Sequence, residues 1–475
     1  MPLKEFNAVG KLETREASTR GNGAYVLFVS LVATLGGLLF GYDTAVISGA
    51  IGYMEIFFHL TPAMVGWAAS SALIGCILGA ACAGTLSDRI GRKKVLLIAA
   101  VFFFISAVGS AIPRNLTEFV LYRILGGLAV GAASMMSPLY IAEISPARFR
   151  GRMVSLNQLA IVSGMLVVYF VNYFIERYGA TLGEDWNLLH GWRWMFGSEA
   201  LPAFLLFVLM FCVPESPRWL VKNQCEEKAR AILCRVSGLA NADAELAAIR
   251  ENLERESASI LQLFQPGYRI LLMIGVMLAV LQQVTGINAI LYYAPEIFKD
   301  LGFAMDAALL QTVAIGAVNV LFTFVAIWSI DRFGRKPLMI CGATGMGVSL
   351  LVLGFAFCFQ RSGAWVLLFI LGYIACFAMS LGPVVWVILS EIFPMRIRGR
   401  AMAISTVILW VSCYLVSQTF PMMNDHPTLV RLFHHAFPFW VYSVFCVITI
   451  LVTIFFVPET KGRSLEEIER MWMKS

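Results

Sequence analysis

Runs of about twenty apolar residues recur along this chain, about twelve of them in all, and each is long enough to cross a lipid bilayer as a helix. They lie near residues 24–50, 63–84, 95–112, 117–141, 153–174 and 192–213, and again near 268–294, 308–329, 337–358, 364–391, 400–422 and 435–457. A soluble domain carries about 25% charged residues. Here only 14% of 475 residues are charged and 59% are hydrophobic, so the solvent that suits most of the chain is lipid. The expected fold is all-α and integral to the membrane, with twelve transmembrane helices in two six-helix halves. The expected divisions are an N-terminal segment 1–23, a first half 24–213, a helical linker 214–267, a second half 268–457 and a tail 458–475.

Lys and Arg placement sets the orientation. Basic clusters occupy Asp88 to Lys94, Arg148 to Arg152, the polar segment 214–267, Asp331 to Lys336 and Arg396 to Arg400. Alternating helices put all of them on one side, which makes that side cytoplasmic, together with both termini. The linker runs Glu226-Glu227-Lys228-Ala229-Arg230 and Ala244-Glu245-Leu246-Ala247-Ala248-Ile249-Arg250 read as short amphipathic helices on the membrane surface.

The halves echo each other. Asp88-Arg89-Ile90-Gly91-Arg92-Lys93 matches Asp331-Arg332-Phe333-Gly334-Arg335-Lys336. Ala142-Glu143-Ile144-Ser145-Pro146 through Arg150-Gly151-Arg152 matches Ser390-Glu391-Ile392-Phe393-Pro394 through Arg398-Gly399-Arg400, and Val213-Pro214-Glu215-Ser216 matches Val457-Pro458-Glu459-Thr460. Three matches in the same order indicate a duplicated six-helix unit, an architecture in which halves rock about a site at the midplane. Orienting helices explains the basic residues but not the repeated acids. The expectation is therefore a set of cytoplasmic gating networks built from Asp88, Arg89, Arg92, Glu143, Arg150 and Glu215, and from Asp331, Arg332, Arg335, Glu391, Arg398 and Glu459, latched in one conformation and broken in the other.

Other function classes find little support. The net charge of +6 is too small, and aromatic and basic residues too little interleaved, for a nucleic-acid surface. The ten cysteines form no C-x-x-C pair, and most sit in apolar runs as small hydrophobes. His59, His190, His426, His434 and His435 fall in or beside outer loops without an accompanying acid or thiol set. No metal, cofactor, enzymatic triad or nucleotide loop is expected, and no obligate protein partner is evident. Met1 to Gly23 lacks the apolar core of a cleavable signal. The pairs Gly36-Gly37 and Gly126-Gly127 suit close helix packing.

Asp43 stands inside the first apolar run, Arg123 inside the fourth, and Glu199 near the outer part of the sixth. An ionised carboxylate in hydrocarbon needs a partner, a cavity or a proton, and Arg123 is the available partner. From the residues alone, a structural ion pair and a proton-coupled one both remain open.

Several motifs carry a resemblance that spans nearly the whole chain. They are Gly84-Thr85-Leu86-Ser87-Asp88-Arg89-Ile90-Gly91-Arg92-Lys93, Pro214-Glu215-Ser216-Pro217-Arg218-Trp219-Leu220, Gln282-Gln283-Val284-Thr285-Gly286-Ile287-Asn288 with Tyr292-Tyr293-Ala294-Pro295-Glu296, and Pro458-Glu459-Thr460-Lys461-Gly462. The chain resembles the sugar porter family of the major facilitator superfamily. The segment Leu31 to Gly49 is similar to that of bacterial xylose–proton symporters. The resemblance implies Asp43 as proton carrier, Arg123 as its switchable partner and Glu199 as a nearby acid. Facilitative sugar carriers of the human type lack a carboxylate at the Asp43 position, which favours symport. It also implies that Gln158, Gln282, Gln283, Asn288 and Asn319 hydrogen-bond a sugar, with Tyr292, Phe40, Trp386 and Trp410 lining or gating the pocket. Amides suit this work because each both donates and accepts, as a hydroxyl does, without a buried charge; helix-to-helix bonding is the alternative use of an intramembrane amide. Gly286 is placed to loosen its helix so that the amides converge.

Met165 and Leu409 depart from the xylose-type pattern, which carries amides there. The expected function is proton-coupled uptake of a pentose or hexose across the plasma (inner) membrane by alternating access. A polyol or inositol symporter, a sugar uniporter and a non-transporting sensor are the alternatives. Sugar, proton and membrane lipid are the expected partners.

Overall fold

The computed structural model describes residues 22–146, 149–183, 185–255, 263, 265–361, 363–393 and 397–461. Among them, twelve helical segments are long and apolar enough to cross a membrane. In the first half these are α1 (Gly23–Phe58), α2 (Pro62–Ile90), α3 (Arg92–Ala111), α4 (Leu116–Ile144), α5 (Arg150–Leu182) and a sixth span that combines a π turn, Asn187–Gly191, with α6 (Trp192–Gly197) and α7 (Ala200–Met210). Three surface helices follow: α8 (Pro217–Lys222), α9 (Glu226–Ser237) and α10 (Leu239–Arg255). The second half holds α11 (Pro266–Val284), α12 (Ile287–Asp300), α13 (Met305–Phe333), α14 (Arg335–Cys358), α15 (Ala364–Met379), α16 (Leu381–Ile392), α17 (Arg398–Asn424), α18 (Pro427–Phe433) and α19 (Phe437–Phe456). The chain is thus a multi-pass membrane protein. Its apolar side chains face outward as well as inward: Leu201, Phe204, Leu321 and Phe455 are exposed, as a lipid-facing surface requires.

Two spans of the second half are broken, at equivalent depth. Thr285 ends α11, and Gly286 adopts φ 93°, a left-handed conformation open to glycine at little cost, before α12 begins. Ser380, at φ −126° and ψ −94°, separates α15 from α16. Each break frees backbone carbonyls at membrane depth, which is tolerable only where protein groups or a cavity satisfy them.

The halves pack through α2 against α17 and α5 against α13. On the side away from the surface helices, hereafter the far side, α1 also packs on α12. There a Cβ built on Gly52 would lie 2.1 Å from Glu296 Oε1. At the linker-side end no comparable packing joins α4 to α15 or α16 among the described residues. The far side is therefore the closed one. Helices α8 to α10 pack on each other around Leu220, Ala229, Leu233, Ala242 and Leu246. Lys222 Nζ to Asp88 Oδ2, 2.8 Å, fastens them to the first half.

Close approach inside the first half depends on glycine. Gly127 faces the Ala72 carbonyl so tightly that a Cβ would sit 1.8 Å from that oxygen, whereas a Cβ at Gly84 meets nothing within 4 Å. Gly127→Ala is expected to cost ~1–3 kcal/mol by overpacking, read as a lowered thermal unfolding midpoint. Gly84→Ala should leave the midpoint within error; equal losses at the two sites would refute this packing role.

Candidate functional site

Asp43 and Arg123 meet in the interior of the first half. Arg123 Nη1 donates to Asp43 Oδ1 at 2.6 Å, and Nη2 donates to the Asp43 carbonyl at 2.9 Å. Both side chains are buried. The Arg123 guanidinium also lies 5.3 Å from the centre of the Phe196 ring, which ties α4 to the sixth span. Glu199, at the junction of α6 and α7, is fully buried and feels the charges of both Asp43 and Arg123. Neither of its carboxyl oxygens, nor Asp43 Oδ2, has a hydrogen-bond partner. Beside it, the Tyr42 hydroxyl bonds Ser198 Oγ at 2.7 Å. The three expected residues are thus brought into one cluster of two carboxyls and one guanidinium.

A chain of amides crosses the second half. Asn288 Nδ2 donates to Gln283 Oε1 at 2.5 Å, and Gln283 Nε2 donates to Gln282 Oε1 at 3.3 Å. Gln282 Nε2 donates to the carbonyls of Leu381 and Gly382, at 2.8 and 3.0 Å, just past the Ser380 break. The broken span α11–α12 makes this possible. It turns Asn288, on the far segment, back toward Gln282 and Gln283 on the near one, and the freed carbonyls of the other broken span receive the end of the chain.

The aromatic residues divide. Phe40 and Trp410 are in contact across the two halves, with ring centres 5.4 Å apart. Trp410 Nε1 is buried without a partner, a donor without an acceptor between the halves. Tyr292 is buried beside Cys413, and Trp386 and Gln158 are half-buried. Asn319 is directed at the Met165 sulfur, 3.9 Å away.

Cys413 is a member that sequence reasoning passed over. Its Sγ receives Asn288 Nδ2 at 3.0 Å. The available signal was spacing: Cys413 lies one turn beyond Leu409 on α17, on the same helical face, and read as a small hydrophobe. Nor did the sequence reading pair Met165 with Asn319.

The linker-side networks form, each within its own half. Arg92 binds Glu143 through Nε to Oε2 at 3.0 Å and Nη2 to Oε1 at 3.2 Å, and binds Asp88 Oδ1 through Nη1 at 3.0 Å. The backbone N–H groups of Arg92 and Lys93 donate to Glu215, and Ser216 Oγ donates to Glu143 Oε2 at 2.5 Å. The second half repeats the design. Arg335 Nη2 donates to Glu391 Oε1 at 2.8 Å, the N–H groups of Arg335 and Lys336 donate to Glu459, and Thr460 Oγ1 donates to Glu391 Oε2 at 2.5 Å. Arg89 and Arg150 are exposed. Arg332 stacks on Trp328, and Arg398 donates to the Phe393 carbonyl. The Asp331 side chain lies outside the described residues. Ser216 and Thr460 are the hydroxyl members that the charge pattern did not reveal.

Two duplicated halves, rigid ends, broken helices and polar groups gathered at the seam define a secondary transporter of the major facilitator superfamily. The chain belongs to the sugar transporter family: the model of that family, "Sugar (and other) transporter", matches residues 29–472. It is 48% identical to the D-xylose-proton symporter of Escherichia coli K12, over 96% of this chain and 97% of that protein. It is 42% identical to the arabinose-proton symporter of Bacillus subtilis, over 98% of this chain and all of that protein. Among solved structures, it superposes on the E. coli xylose transporter in a partially occluded inward-open conformation with a TM-score of 0.83, at 46% identity, covering 93% of this chain and 100% of that one.

Glu459 lies beyond the last span. Burial works against its ionised form, but the N–H groups of Lys461, Arg335 and Lys336 prevail and hold its carboxyl below the usual range. The stabilisation is present above the unfolded value, about pH 4.3, and is lost as pH falls through the lower folded value. Glu459→Gln is expected to melt below the wild type at neutral pH, with the gap closing in acid. A gap that persists unchanged in acid would contradict this role for the carboxylate.

Proposed function

We propose that the chain carries a monosaccharide, a pentose or hexose, into the cell together with a proton, by alternating access. Relatives named as xylose- and arabinose-proton symporters, matched over nearly the full chain, support this reading. The observation that carries the proton half is the buried group of Arg123, Asp43 and Glu199. Two ionised carboxylates against one guanidinium leave a net negative charge in a buried site, a costly arrangement. One proton neutralises the group. Opening the pair to water on one side lets the proton leave there, so proton binding and the conformational cycle share one switch.

The sugar half rests on the amides. Gln282, Gln283 and Asn288 are pre-linked to each other and to backbone carbonyls, and Trp410, on α17 of the same half, offers an unused N–H. A sugar entering between the halves exchanges these bonds for its own, which costs little because donors and acceptors are already gathered. Gln158, Asn319, Tyr292, Phe40 and Trp386 complete the proposed site. The paired linker-side networks hold each half as a rigid body. With basic loops and both ends of the described chain on the linker side, that side faces the cytoplasm of a plasma or inner membrane.

Asp43→Asn is expected to abolish uphill sugar accumulation in energised cells while labelled sugar still exchanges across proteoliposomes; retained accumulation would overturn the proton assignment. Gln282→Ala should weaken sugar affinity by calorimetry about tenfold, as expected for losing a hydrogen bond worth ~1–2 kcal/mol. An unchanged affinity would move the sugar elsewhere.

A further inference from the structure

Where the far side is closed, the two halves meet over a seam crowded with acids. The first half contributes Glu55 on α1 and Glu176 on α5. The second contributes Glu296 and Asp300 on α12, Asp306 at the start of α13 and Asp425 just past α17. Glu55 lies within electrostatic reach of Glu296, Asp425 and Asp300, with Lys299 opposing them. Glu176 lies within electrostatic reach of Asp306, and the Tyr53 hydroxyl within reach of both Glu176 and Glu296. Like charges are thus brought together across the boundary that must open and close.

Compensation is partial and one-sided. Lys299 Nζ binds Glu296 Oε2 at 2.8 Å. Asn424 Nδ2 is shared between Asp300 Oδ2, at 3.2 Å, and Asp425 Oδ1, at 2.8 Å. His435 Nδ1 stands 3.9 Å from Asp425 Oδ1. These partners all belong to the second half. In the first half, Arg177 is turned to the Tyr173 hydroxyl at 3.1 Å. Glu176 is only 7% exposed, and its Oε2 is buried with no hydrogen bond. Glu296 Oε1 is likewise buried and unpartnered where it presses on Gly52. Six carboxyls, one lysine and one histidine cannot all hold their neutral-pH charges in such a contact without a large electrostatic cost.

We propose that this seam is a second proton-binding site, filled when the far side closes and separate from the Asp43–Arg123–Glu199 group. Closure brings Glu55 and Glu176 against the second-half acids, and a proton from the far-side solution relieves the repulsion. Parting of the halves rehydrates the carboxyls and releases it. The closed form binds more protons, so closure is favoured at low pH and is lost as pH rises through the closed-state value. Asp425, outside the spans, has that sign: burial pushes its carboxyl up, against the Asn424 hydrogen bond and the pull of His435. Each proton taken up changes the closing equilibrium by at most about tenfold per pH unit.

The test reads closure directly, so it holds whether or not sugar is carried. Ile112, just past α3, and Phe359, just past α14, are exposed far-side positions in opposite halves. Nitroxides on Ile112→Cys and Phe359→Cys, with exposed Cys82, Cys212 and Cys341 replaced by serine, report the far-side gap in the full chain by pulsed electron resonance. The background carries Asp43→Asn, which removes the deep proton site. Between about pH 5.5 and pH 8, the ratio of closed to open distances should fall several-fold. Adding Glu55→Gln and Glu176→Gln should flatten that dependence to within about twofold over the same range. Should the combined variant fail to fold, Glu55→Gln alone, at a less buried position, should reduce the slope. A closed-to-open ratio independent of pH, or a slope that the glutamines leave unchanged, would overturn the second site.

Discussion

The contact between Arg123 and Asp43 constrains the rest of the structure. At 2.6 Å and shielded from water, it places a guanidinium and a carboxylate where neither can stand alone. Arg123 reaches the Asp43 backbone as well, and its face lies against Phe196, so α1, α4 and the sixth span share one anchor. Room for it comes from Gly126, where a Cβ would sit 2.4 Å from Ser106 Oγ and 3.2 Å from Asp43 Oδ1. Glu199 completes the group without satisfying it, because neither of its oxygens finds a donor. The group thus sets two buried carboxyls beside one guanidinium.

The two halves are alike at their ends and unlike in their interiors. At the linker side, Glu143 and Glu391 each bind an arginine and a hydroxyl, while Glu215 and Glu459 each receive the first N–H groups of a helix. Carboxylates at helix N-termini fix the start of α3 and α14. These clusters tie neighbouring helix ends together within each half. In the interior, the first half keeps its charges inside one anchor, and the second breaks two helices to expose amides and carbonyls. One half holds buried charges and the other uncharged amides.

The spans were legible because lipid imposes a simple rule on length and polarity, and the basic loops were legible because they repeat. Asp43 and Arg123 stood out against apolar neighbours, and Gly286 correctly marked a break. The Ser380 break was not read, because it falls inside the continuous apolar run near 364–391 and depends on what α11 offers its carbonyls. The networks expected at the linker-side ends close within each half, and their hydroxyl members Ser216 and Thr460, from the chain segment just after the same half, carry no charge to mark them in the sequence. Cys413 escaped notice because a thiol in an apolar run looks like packing until Asn288 is seen beside it. Pairing of side chains across distant segments is a property of the folded chain, and spacing in sequence does not encode it.

The central claim is that one proton neutralises the buried carboxyl pair each time a sugar crosses. Its direct measure is the proton count per sugar in weakly buffered proteoliposomes, with external pH and labelled sugar followed together. One proton should disappear from the external solution for each sugar taken up. Sugar entry with no accompanying alkalinisation would contradict the claim.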